Sequence, residues 1–125
     1  MNTKHQELRQ RTKQFALRVI KLFRALPRST EAQTIGRQLL RSATSDAANY
    51  RAVGRARSRA DFVSKIGVVV EESDECVFWI ELLVEASVMP KERLEPLLTE
   101  ASELLAIFAA SQYTVRVINR PAAMK

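Results

Sequence analysis

The chain has 125 residues with 20 Lys and Arg against 14 Asp and Glu, a formal charge of +6, and 46% of its residues are hydrophobic. That length describes one domain able to bury a core, and 3 Gly and 4 Pro are too few for a turn-rich all-β fold or a flexible low-complexity chain. One cysteine, Cys76, and one histidine, His5, exclude an internal disulfide, a Cys-based zinc site and a His-dependent triad, so neither a catalytic site, a metal nor a cofactor is expected.

Four helices are expected in chain order, at about 3–26, 30–53, 58–87 and 90–118. The first carries Leu8, Phe15, Val19, Leu22 and Leu26 on one narrow arc and stops at Pro27, which has no backbone N–H to donate. The second opens at Ser29 or Thr30, where Thr30 and Gln33 have the spacing of a capping box, and ends near Gly54, expected as a left-handed cap. The third starts at Ser58 with Asp61 as its capping partner. The fourth opens near Pro90, with Pro96 implying a kinked or later start, and ends before Pro121. Connections this short make an all-α, antiparallel, up-down-up-down four-helix bundle, a single domain over 1–125.

Charge is distributed unevenly. Residues 1–60 hold 14 basic and 3 acidic side chains, and residues 61–125 hold 6 and 11. On helix two, Arg37, Arg41, Arg51 and Arg55 fall within about 80° of one another, because eighteen residues complete five turns. Arg57 and Arg59 continue the positive run past Gly54, and helix one adds Lys4, Arg9, Arg11, Lys13, Arg18, Lys21 and Arg24. Guanidinium forks in a row suit phosphate oxygens, so RNA or DNA backbone is one expected partner. The other reading pairs the same stripe with the acidic arc of helix three, inside one subunit or between subunits. An acidic protein or membrane surface is a third.

Helix three repeats apolar residues every seven positions: Phe62, Val69, Cys76 and Leu83 in one row, and Val63, Val70, Val77 and Val84 in another. With Ile66, Ser73 and Ile80 these rows fill an arc of about 160°, wider than the ~100° stripe that one packing face needs. Either the helix is central and packs on two neighbours, or the valine row with Phe78 meets another subunit. Opposite lie Glu71, Asp74, Glu75, Glu81 and Glu85. The cluster Glu71, Glu72, Asp74 and Glu75 lacks the Glu-x-x-His companions of a di-iron site and reads as a solvated face or a site for a basic partner. On helix two, Ser42, Asp46 and Asn49 lie on the apolar side. A carboxylate there needs partners, and a buried polar network of Asp46, Asn49 and Ser73 is expected.

The segment from Thr44 to Phe62, with Ala48-Asn49-Tyr50-Arg51 and Ser58-x-x-Asp61-Phe62, together with Glu71-Glu72-x-x-Glu75 and Phe78-Trp79-Ile80-Glu81-Leu82, resembles the four helix bundle protein family. That family is also called the 23S ribosomal RNA intervening-sequence protein, or S23-type, family. The resemblance spans about residues 12–118 and implies no catalytic residues. It implies assembly as a homo-oligomeric ring of five, and kinship with accessory proteins of diversity-generating retroelements, whose basic bundles bind nucleic acid and a protein partner. A basic surface carries over to Arg37, Arg41, Arg51, Arg55, Arg57 and Arg59. Asp46 departs from the family pattern, which has a small or apolar residue there. The longest uncharged run in the second half, Leu104 to Val115, is shorter than the ~20 residues of a membrane span, and the first residues lack a signal-peptide core, so a cytoplasmic protein without a membrane partner is expected.

Overall fold

The computed structural model describes residues 3–118. They form four helices: α1 (Thr3–Ala25), α2 (Thr30–Val53), α3 (Arg59–Glu85) and α4 (Lys91–Ile118). Among the described residues there is no strand. Each helix packs on its neighbours in sequence, α3 closely on both α2 and α4, and the bundle closes with a looser seam between α1 and α4. This is the antiparallel up-down-up-down arrangement. No helix of the described residues is long and apolar enough to cross a membrane.

Helix ends follow local chemistry, with five departures from expectation. α1 stops at Ala25 and not Leu26. The Leu26 N–H instead bonds the Phe23 carbonyl at 3.2 Å, and its side chain turns into the core. Gly36 of α2 meets this corner, where a Cβ would collide with Leu26 and Phe23. At the start of α2 the cap is Ser29, whose Oγ accepts from the Ala32 N–H, while the Gln33 side chain donates to the Pro27 carbonyl at 2.9 Å. The Thr30–Gln33 capping box does not form.

Gly54 is not left-handed: its φ of −64° and ψ of −11° are ordinary right-handed helix. The chain leaves α2 through turns from Arg55 N–H to Ala52 and from Ala56 N–H to Val53, which need no positive φ. Glycine leaves room for His5 here, since a Cβ would lie 2.5 Å from its ring and displace that side chain.

At the other end of α3 the helix stops at Glu85, short of 87. Ser87 takes φ 55°, its N–H bonds the Val84 carbonyl, and the Val88 N–H reaches back to Leu83. These two bonds close a Schellman motif with serine at the position that glycine usually holds. α4 begins at Lys91 and runs through Pro96, so Pro90 precedes the helix. The carbonyl that Pro96 leaves without a donor is that of Glu92, in an exposed first turn. Pro121, the expected stop after α4, lies outside the described residues.

The core is drawn from all four helices. Phe15 and Val19 of α1, Leu39 and Ala43 of α2, Ile66, Val69, Ile80 and Leu83 of α3, and Leu94, Leu104 and Phe108 of α4 are all buried. At roughly 1.5–3 kcal/mol for each large side chain removed from water, this packing holds the two halves of opposite charge together.

Candidate nucleic-acid interface

Turning by 100° per residue sets Arg41 and Arg51 about 40° to either side of Arg37 on α2, while Arg55, expected on the same stripe, lies just past the helix in the turn after Gly54. That spread decides what each arginine does. Arg41 leans toward α3, where its guanidinium meets Glu75 Oε1 at 2.6 Å and Glu72 Oε2 at 3.5 Å and donates to Ser42 Oγ at 3.1 Å. Its side chain stays 52% exposed, so the pair is a surface one, with a value of at most about 1 kcal/mol.

Arg51 leans toward α1. There it lines a groove of about 480 Å³ with Arg9, Gln10 and Lys13 of α1, and the floor is kept shallow by the small side chains of Ala47 and Ala48. Arg9 and Arg51 also line an adjoining cleft of about 350 Å³, with His5, Gln6 and Arg55. No carboxylate lines either one. Arg9 and Lys13, an i, i+4 pair on α1, belong to this surface although the helix-two stripe alone does not indicate them.

Tilted aromatic rings back the cleft behind His5. His5 Nδ1 lies 3.1 Å from the Tyr50 hydroxyl, the two rings are 4.8 Å apart, and buried Tyr50 in turn meets Phe108 at a tilt. Burial, and then the positive charge of Arg9, hold the His5 pKa below its usual value. Burial raises that of Tyr50. The histidine therefore adds a neutral ring at pH 7, and the positive charge comes from the arginines and Lys13.

Residues 4–110 match the family of 23S rRNA-intervening sequence proteins. The chain belongs to that family. The chain is also similar to a crystal structure from Bacteroides thetaiotaomicron, described as a protein with unknown function from the S23 ribosomal protein family. Over 89% of this chain and 99% of that one the identity is 28% and the TM-score 0.80. No curated protein matches the chain.

In this member of the 23S rRNA-intervening sequence family, the six arginines of the sequence-derived surface do not act together. Arg51 and Arg55 line the cleft. Arg57 and Arg59 lie just beyond, exposed around a further depression of about 450 Å³. Arg41 is engaged by α3. Arg37 is exposed but about 21 Å along α2 from Arg51, at 1.5 Å per residue.

The five residues assigned to a subunit contact also separate. Val70, Val77 and Val84 are partly buried against the chain's own core, and Val63 is half-buried, so this row is largely occupied within the subunit. The adjoining flank faces α4, since a Cβ on Gly67 would touch Gln112. The wide apolar arc of α3 thus serves two neighbours in one bundle. Only Phe78 of the five stands out, 50% exposed and edge-on to Trp79 at 4.8 Å. Around it Glu71, Asp74, Glu81 and Glu85 are exposed, and no ion pair holds them among the described residues.

Asp46 is 1% exposed. Its Oδ2 accepts from Ser73 Oγ at 2.8 Å, and its Oδ1 has no hydrogen-bond partner. Asn49 does not join them: its amide donates to the Ser45 carbonyl and Oγ, one turn earlier on α2. Ser45 Oγ in turn donates to Glu72. Two polar clusters result, a buried Asp46–Ser73 pair and a half-buried group around Ser45, Glu72, Glu75 and Arg41. Cys76, buried beside the first, has its thiol pKa pushed up by burial and by Asp46, Glu72 and Glu75.

Proposed function

We propose that this protein is a non-enzymatic binder of nucleic-acid backbone, RNA or DNA, with little base-sequence specificity. The supporting observation is the convergence of Arg9 and Lys13 from α1 with Arg51 of α2 and Arg55 just past its end on adjoining grooves that no carboxylate lines. Such a surface releases counterions from a polyanion and reads no base edges. A homo-oligomeric ring, the arrangement implied by the family resemblance, would repeat the groove on each subunit and add weak contacts through multivalency. The test is association with generic RNA and duplex DNA across a salt series. Four phosphate contacts over the two adjoining grooves give a slope of log K against log salt of about −3.6 on duplex. Undetectable binding at low salt would reject the reading.

Phe78 and its unpaired acidic rim favour a second reading, a self-assembly or protein-interaction module whose arginines pair with acids of neighbouring subunits. The two readings separate on one variant. Arg51→Glu lowers nucleic-acid affinity in the first and the mass of the assembly in the second.

A further inference from the structure

Where α2 turns into α3, Phe62 stands between two depressions. On one side is the cleft of Arg9, Arg51 and Arg55; on the other, the depression of about 450 Å³ lined by Ala56, Arg57, Ser58, Arg59 and Val115. Val53 and Phe62 line both. Phe62 is held in place by the start of α3: its N–H bonds the Ser58 carbonyl at 2.9 Å, and Ser58 Oγ caps the helix by accepting from the Asp61 N–H. Among the described residues, Asp61 at this corner is occupied by Lys65 Nζ at 2.7 Å and the Arg57 N–H at 3.0 Å. Phe62, partly buried against the core, thus borders two hollows that arginines also line, with volumes in the ~300–1,000 Å³ range of ligand sites.

We infer that this end of the bundle grips single-stranded nucleic acid, with one unpaired base laid against Phe62 and phosphates on either side of it held by the arginines of the two depressions. The inference rests on the backbone-binding reading above and adds to it the state of the strand. Every base has a π-face to offer an aromatic side chain, whereas a duplex keeps its bases stacked on one another. The arginines supply attraction to either form; Phe62 supplies the preference for the unpaired one.

The experiment compares a labelled oligothymidine of about twelve nucleotides, a hairpin duplex of equal phosphate count and an abasic sugar-phosphate oligomer, by fluorescence anisotropy at low salt. Wild-type protein should hold oligothymidine about fivefold or more tighter than the abasic oligomer, with equal salt slopes. Phe62→Leu should lose that factor on oligothymidine and leave the duplex unaffected, while Phe62→Tyr, which keeps the flat face, retains it. Equal affinity of wild type for oligothymidine and the abasic oligomer would overturn the base contact, whether or not Phe62→Leu folds, and would leave the backbone reading standing. Failure of all three probes to associate would overturn both.

Discussion

Replacing Asp46 with Asn should raise stability by about 2–4 kcal/mol near pH 8 and change it little near pH 4. Burial pushes the Asp46 carboxyl from 3.8 up to about 7; the Ser73 hydrogen bond opposes this, and the charge of Glu72 adds to it. Between those two values the folded chain holds a proton that the unfolded chain has released. Stability therefore falls as pH rises through the window from about 4 to about 7 and levels off above it, a loss on the order of 4 kcal/mol for this one group. An asparagine amide in its place would keep an acceptor for Ser73 and has no charge to bury. His5 works in the other direction, because its lowered pKa means stability is gained as pH rises through the histidine range. For that reason the comparison is between wild type and Asp46→Asn by thermal or denaturant unfolding at each pH, which cancels every other group. Parallel stability curves for the two proteins would show that Asp46 is not the buried neutral acid described here.

The double reversal Arg51→Glu with Arg55→Glu should weaken binding to RNA or duplex DNA by about a hundredfold or more at low salt. It removes two of the four cations that line the grooves and puts two carboxylates against the phosphates. Both side chains are exposed and neither forms an ion pair within the described chain, so unfolding should shift by no more than about 0.5 kcal/mol. Anisotropy with the same probes, beside a melting curve, checks both halves. Unchanged affinity in a folded variant would remove the grooves from the interface.

The bundle itself was legible in the chain because its punctuation is local. Pro27, Ser29, Ser58 and the short segments between helices act within a few residues, and the seven-residue rows of α3 report its own core face. The misreadings share a different cause. Gly54 looked like a left-handed cap, yet its role is set by His5, forty-nine residues away. The 160° arc of α3 left open a subunit contact or a central position, and only the packing of α2 and α4 on either side shows how much of the valine row is occupied. The arginine stripe read as one surface for a similar reason. A 40° lean in either direction is small on a helical wheel, but in the bundle it carries Arg41 to Glu75 and Arg51 to the groove with Arg9. Asn49 and Asp46 likewise share a side of α2, but Asn49 finds a nearer acceptor one turn back.

The proposed binding mode gives arginines of one helix separate duties, Arg51 for the polyanion and Arg41 for α3. The most direct measurement is the salt slope of RNA binding for Arg51→Gln and Arg41→Gln beside wild type. The slope should shrink by about 1 for Arg51→Gln and stay at the wild-type value for Arg41→Gln. A reduction for Arg41→Gln with none for Arg51→Gln would contradict the division and place the contact on the α2–α3 face.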